Sequence, residues 1–253
     1  MDHAIVTAGL TRRFGATLAV DGLDLEVPAG VMFGFLGPNG AGKSTTLKML
    51  TGLLRPTSGS ARILGLDVVR REVEVKRKIG VVPEELALFD RLTGSEYLRF
   101  VGRMYRLPAD QIEARSAELL DLLDLAVHDR KLIVDYSHGM HKKLALAAAL
   151  LPGPEVVFLD EPFEGIDAVS ARLIRSILDQ LLASGATVFL TSHILAIVEQ
   201  LCSHVAVIHH GRLVAAGTMD ELRAGTMSLE DRFLELVGGE GLEPRGLSWL
   251  AGS

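Results

Sequence analysis

The segment Gly37-Pro38-Asn39-Gly40-Ala41-Gly42-Lys43-Ser44 has the residue types and spacing of a loop that holds phosphate. Its small glycines let successive main-chain amides turn inward around phosphate oxygens, at the positive end of the helix predicted over "STTLKML". Lys43 can reach the β- and γ-phosphates of a nucleotide, and the Ser44 hydroxyl can ligate Mg²⁺. The pattern Gly-x-x-x-x-Gly-Lys-Ser/Thr arises by chance in roughly one chain of this length in a hundred. A second cluster is "VVFLDEP", an apolar run that ends in Asp160 and Glu161. A carboxylate at the carboxyl end of a parallel strand lies where α/β proteins bind ligands, so Asp160 is placed to hold Mg²⁺. Glu161 is placed to orient or deprotonate an attacking water. Pro162 predicts an extended conformation for Glu161. "FLTSH" brings His193 to the same edge, in reach of a γ-phosphate and of the neighbouring carboxylate.

A further anion-holding turn is "YSHGMHKK", Tyr136 to Lys143. Ser137 and the Gly139 amide, at a predicted helix start, offer hydrogen bonds and a positive dipole to an anion. A plain N-cap explains Ser137 as well. Lys142 and Lys143 oppose the dipole, either balanced by a bound triphosphate nearby or lying on a solvated helix face.

These groups need a scaffold that brings loop and strand ends together. Short β-rich runs alternate with longer helical stretches, the pattern of an α/β domain with a mostly parallel sheet. Buried strands are predicted at 31–36, 78–82, 155–160, 186–192 and 204–209. Between about residues 90 and 151 the strands stop; "SEYLRFVGRMYRL" and "ADQIEARSAELLDLLDL" show helical spacing on either side of Pro108 and predict a helical insert. The basic helix at 70–78, "RREVEVKRK", reads as a solvated face. One domain over 1–237 and a loose glycine-rich tail over 238–253 follow, with Trp249 a stray aromatic near a frayed end.

Composition excludes several classes. A chain of 253 residues, 48% hydrophobic and 23% charged, can bury a core as one domain or as one domain plus a subdomain and is neither fibrous nor disordered. The longest apolar run, Leu144 to Leu151, is eight residues, against roughly 18 for a membrane span. The start lacks the basic-then-apolar order of a secretory signal, which predicts a cytoplasmic location. The single Cys202 forms no internal disulfide and reads as a small core residue. A net charge of -6 argues against sequence-blind binding of nucleic acid. The chain contains no Asn-Lys-x-Asp guanine reader, which argues against a GTPase.

In order, these features resemble the ATP-binding subunit of an ABC transporter, and the resemblance covers nearly the whole chain. Phe14, 23 residues before Gly37, matches the aromatic that stacks on adenine. Gly37 to Thr45 match the phosphate loop, Glu84 in "VVPEE" the Q-loop glutamine, and Tyr136 to Met140 the Leu-Ser-Gly-Gly-Gln signature. Asp160 with Glu161, Asp167 of "FEGID" and His193 complete the set. The resemblance implies a P-loop NTPase core with an N-terminal antiparallel β portion and a helical subdomain. It implies ATP and Mg²⁺ as ligands, with Glu84 keeping an oxygen for the metal. It also implies two ATP-binding chains paired head to tail, so that Ser137 and Gly139 of one close over the γ-phosphate held by the other. Such a pair, homo- or heterodimeric, sits at the inner face of the membrane through a transmembrane permease that docks on the helical insert and the Q-loop region. His138 and Met140 replace the usual glycine and glutamine. Those variants, with the segment "MSLEDRFLELVGG", resemble exporter-type subunits. A soluble ABC-type ATPase, as in iron-sulfur assembly, is the alternative within the family; a P-loop kinase is the alternative outside it.

Overall fold

A computed structural model describes residues 3–223 and 228–238. The chain opens with two long strands, β1 (His3–Phe14) and β2 (Thr17–Pro28), then β3 (Met32–Leu36), α1 (Lys43–Leu50), β4 (Ser58–Ile63), β5 (Leu66–Asp67), α2 (Glu72–Lys78) and β6 (Ile79–Val82). Helices α3 (Gly94–Met104) and α4 (Ala109–Leu122), two single 3-10 turns (Ala126–His128 and Ile133–Asp135) and α5 (His138–Leu150) come next. The core resumes with β7 (Val156–Asp160), α6 (Ala168–Ala183), β8 (Thr187–Ser192), α7 (Leu195–Leu201), β9 (His204–His209) and β10 (Arg212–Thr218), followed by α8 (Met219–Arg223) and α9 (Leu229–Val237).

Six strands form the central sheet in the order β10-β9-β3-β8-β7-β6, parallel throughout except for β10. A separate antiparallel sheet has the order β2-β1-β4-β5. In the central sheet, alternate side chains point to opposite faces. Phe33, Phe35, Phe158, Phe189, Ala206 and Ile208 face one core, shared with α1 and the antiparallel sheet. Their neighbours Met32, Leu36, Val157, Leu159, Val188, Leu190, Val205 and Val207 face a second core, into which α5, α6 and α7 pack. Phe33, Phe35 and Phe158 surround Phe189 with ring centroids 5.5 to 5.6 Å away. Burial on both faces is why β7 and β8 read as continuous apolar runs.

The five strands expected from the sequence all form, each within one residue of its predicted start. Strand β10 was not expected: it is a half-exposed edge strand, so its apolar signal is diluted. Helix α2 buries only Val75 and carries the Arg71–Glu74 and Lys76–Glu72 ion pairs, the solvated face expected of it. Helix α3 starts at a reciprocal cap, with the Thr93 hydroxyl accepting from the Glu96 N–H and the Thr93 N–H donating to Glu96 Oε2. Cys202 packs in the second core under Gly34, and burial pushes its thiol up to about 12. No described helix is long and apolar enough to cross a membrane. Trp249 and the tail after Gly238 lie outside the described residues.

Candidate nucleotide-binding site

The phosphate loop runs from the carboxyl end of β3 to the start of α1. Its walls demand glycine at two places. A methyl group on Gly37 would lie 2.4 Å from the Ile208 carbonyl oxygen, and one on Gly42 would lie 2.6 Å from that of Ala19. Gly42 also has a φ of 110°, a left-handed conformation natural only to glycine. Gly42 caps α1 without a side-chain hydrogen bond. The first-turn amides of α1 therefore keep no intrahelical acceptor and point toward the loop mouth. Lys43 is buried and lies across the loop, its Nζ donating to the Gly37 carbonyl at 2.7 Å and the Pro38 carbonyl at 3.4 Å.

Asp160 ends β7 opposite Thr191 of β8. Its side chain is buried and accepts a hydrogen bond from Thr191 Oγ1 at 2.5 Å. Ser44 Oγ lies 3.5 Å from the same carboxylate oxygen. Among the described residues no ion pair includes Asp160, and the side-chain hydrogen-bond partners of its carboxylate are these two hydroxyls. A carboxylate and a hydroxyl at this separation, both hard oxygen donors, suit adjacent positions around Mg²⁺, which leaves the remaining octahedral positions to phosphate and water.

Glu161 sits between two basic groups. Its Oε1 is 3.8 Å from Lys43 Nζ, and its Oε2 is 3.0 Å from His193 Nδ1 and accepts the His193 main-chain N–H at 3.3 Å. The carboxylate is 7% exposed while the histidine is 41% exposed, so the pair spans the boundary between core and solvent. The expected extended conformation of Glu161 is not what forms: its φ is +48°. Such a conformation costs a non-glycine residue on the order of 1–3 kcal/mol and persists only where the surroundings impose it. Here Thr191 Oγ1 accepts the Glu161 N–H at 3.1 Å and Lys142 Nζ donates to the Glu161 carbonyl at 2.9 Å. These two partners outweigh the local preference that Pro162 sets.

A cleft of about 390 Å³ opens at this edge, lined by Pro38, Asn39, Gly40, Gly42, Lys43, Ser44, Thr45, Glu84, Glu161 and His193, with Ala19 and Glu164 beside them. Gly37 and Ala41 shape the loop from behind. Phe14 lies at the end of β1, 45% exposed, with the Arg12 guanidinium 4.4 Å above its ring, and is not part of the cleft wall. Nor are Ser137, Gly139 and Asp167. Ser137 caps α5, its Oγ accepting the Met140 N–H at 3.3 Å. Asp167 caps α6, accepting the Val169 and Ser170 N–H groups at 3.0 Å each. The two turns abut within one chain: a methyl group on Gly139 would lie 4.0 Å from Asp167 Oδ2, and one on Gly165 would lie 3.3 Å from the His138 ring.

Two residues escaped the sequence reading. Thr191 lies at the carboxyl end of β8, two positions before His193, which follows the strand, and a hydroxyl at that sheet edge was the available signal. Lys142 is 5% exposed, neither on a solvated face nor in the wall of the phosphate cleft, and its Nζ donates to the Glu161 and Glu164 carbonyls. Burial depresses its pKa, and Glu164, Glu161 and Glu84 partly offset this. No periodicity marks one lysine of a His-Lys-Lys run as inward-facing.

A fold that grips phosphates on main-chain amides, and holds a carboxylate where a terminal phosphate would end, defines the class of P-loop nucleoside-triphosphate hydrolases. A family model described as ABC transporter matches residues 20–164, and one described as an AAA domain, putative AbiEii toxin, matches residues 132–199. The Daunorubicin/doxorubicin resistance ATP-binding protein DrrA of Streptomyces peucetius is 43% identical over 222 residues, 88% of this chain and 67% of that protein. The Linearmycin resistance ATP-binding protein LnrL of Bacillus subtilis is 38% identical over 213 residues, 84% of this chain and 68% of that one. A solved structure described as the ATP binding subunit of an ABC transporter superimposes with a TM-score of 0.87 at 30% identity, covering 92% of this chain and 99% of that one. The chain belongs to the ABC transporter family, as an ATP-binding, ATPase-type domain.

Proposed function

We propose that this chain hydrolyses ATP to drive an exporter, by closing on a second ATP-binding chain and reopening after hydrolysis. The observation that carries the reading is the Glu161 carboxylate held between Lys43 and His193 at the mouth of the phosphate loop. Main-chain amides of Gly40 to Thr45 and the Lys43 ammonium bind the β- and γ-phosphates. Ser44 and Asp160, with Glu84 at the rim, would hold Mg²⁺, which supplies neutralisation of the phosphate charge. Glu161 takes the proton of the attacking water as its oxygen bonds to the γ-phosphorus and the bond to ADP breaks. His193 keeps that carboxylate oriented, through its ring nitrogen and its main-chain N–H. Phe14 stacks on the adenine, a contact any base accepts.

Ser137, Gly139 and Asp167 lie outside the cleft of their own chain, which fits a role on the ATP of a partner. The helical stretch of about 90–151 forms a subdomain of a 1–237 ATP-binding domain. Its outer face offers the docking surface for a permease: Phe89 and Phe100 are exposed and meet edge to face at 5.0 Å, next to Tyr97 at 6.0 Å, just past the Glu84 loop. Through that permease the chain is held peripherally at the inner membrane face. Export as the direction is supported by the relatives' names, which include a Nod factor export ATP-binding protein of Cupriavidus metallidurans, 39% identical over 91% of this chain.

The test is light scattering of Glu161→Gln with and without Mg-ATP, beside the turnover of the same variant. A mass that rises from 27.2 kDa to twice that value with ATP, together with lost turnover, is the expected result. Unchanged turnover in Glu161→Gln sinks the catalytic assignment, and a nucleotide-bound monomer in the presence of the permease sinks the pairing.

A further inference from the structure

We propose that Lys142 is a positioning residue for Glu161: its buried ammonium holds the main chain of the Glu161–Glu164 turn in the one conformation that aims the Glu161 carboxylate at Lys43 and His193. Lys142 is 5% exposed, and its Nζ donates to the Glu161 carbonyl at 2.9 Å and to the Glu164 carbonyl at 2.6 Å. Among the described residues it forms no ion pair within 4.0 Å. A charge buried on two carbonyls of a single turn acts on the shape of that turn rather than on a carboxylate partner. The turn needs such support, because Glu161 precedes proline and yet has a φ of +48°. Without the ammonium, the Glu161 carbonyl keeps, among the described residues, only the Glu164 N–H at 3.3 Å. The peptide then relaxes toward the extended form and takes the carboxylate away from His193.

The placement on α5 adds a second consequence. Helix α5 begins at the Ser137 cap, five residues before Lys142, and a helix is stiff over about 7–8 Å at 1.5 Å per residue. A displacement of the Ser137 turn therefore moves Lys142 and, with it, the catalytic turn of the same chain. This link to a partner's ATP rests on the paired-chain reading; the positioning role itself does not.

The test compares the full chain with Lys142→Met, Lys142→Gln and Lys142→Arg. In the nucleotide-free protein, hydrogen exchange of peptides covering residues 159–166 is expected to quicken about tenfold in Lys142→Met, a change confined to that turn. In steady state, kcat is expected to fall at least about tenfold while the Kd for Mg-ATP stays within about twofold, with Lys142→Arg recovering most of the loss. Unchanged exchange at 159–166, a kcat within about twofold of the parent, or a Kd that weakens in step with kcat would each overturn the proposal. Should the methionine variant fail to fold, Lys142→Gln, which keeps one donor, decides on the same criteria: a drop in kcat of roughly threefold at constant Kd supports it, and parental kcat overturns it. Because exchange is read without nucleotide, a failed pairing in the Glu161→Gln experiment leaves this test intact.

Discussion

Thr191→Val tests most directly how the catalytic edge is held. Thr191 is fully buried, donates to Asp160 Oδ1 at 2.5 Å and accepts from the Glu161 N–H at 3.1 Å. Valine keeps the β-branched shape a strand favours and removes both bonds. A hydrogen bond to a charged group is worth about 1.5–3 kcal/mol, and a buried N–H left without an acceptor costs about 1–3 kcal/mol. An added buried methyl returns about 0.8 kcal/mol. The sum is a loss of about 2–5 kcal/mol, a large part of the roughly 5–15 kcal/mol of a typical domain. With a urea slope of about 3 kcal/mol per molar, the upper end of the usual range and suited to a chain of this size, the unfolding midpoint drops by about 0.7–1.7 M. Thr191→Ser is the control, since it keeps the hydroxyl and deletes the methyl, at about 1 kcal/mol. Equilibrium urea unfolding of the two variants, followed by far-UV circular dichroism, gives the ranking. A serine variant less stable than the valine variant would refute the reasoning, because packing rather than the two hydrogen bonds would then dominate.

Gly42→Ala is expected to abolish measurable ATP binding by calorimetry, because the new methyl meets the Ala19 carbonyl at 2.6 Å and φ is 110°, a strain of order 1–3 kcal/mol before the clash; parental affinity would show that the loop tolerates a side chain. Cys202, buried and pushed up to about 12, should resist an aromatic disulfide reagent at pH 8 in the native protein and react on unfolding in urea; rapid native labelling would contradict its place in the core. The Ser170 and Val169 N–H groups hold the Asp167 carboxyl below its ordinary range. A depressed carboxylate contributes stability above its unfolded pKa and loses it as pH falls through the folded one. Thermal scans of the parent and Asp167→Asn should therefore differ most at neutral pH and converge below about pH 4; a gap that widens in acid would reverse the sign.

The sequence determined the chemistry of this protein because the chemistry is local. Gly37 to Ser44 must form a loop between strand and helix whatever surrounds it, and the apolar runs ending in Asp160 and Ser192 must be buried strands with a polar edge beyond them. Five of the six strands of the central sheet follow from those runs, and the mostly parallel α/β class follows with them. Strand β10 did not show, since an edge strand carries a weaker apolar pattern. Only the tertiary structure decided which polar side chains support the site from inside. Lys142 follows His141 and precedes Lys143 in a run that reads either as balanced by a bound triphosphate or as solvated, yet tertiary packing buries it on the main chain of the Glu161 turn. Pro162 argues for an extended Glu161, and the backbone instead turns left-handed because Thr191 and Lys142, 30 residues ahead and 19 behind, hold its N–H and its carbonyl. Such contacts join positions far apart in the chain, and local propensities of a few tenths to about 1 kcal/mol per residue cannot outweigh them. Motifs made of neighbouring residues are legible from spacing; a buried charge that rests on another segment's main chain is decided only when the segments pack.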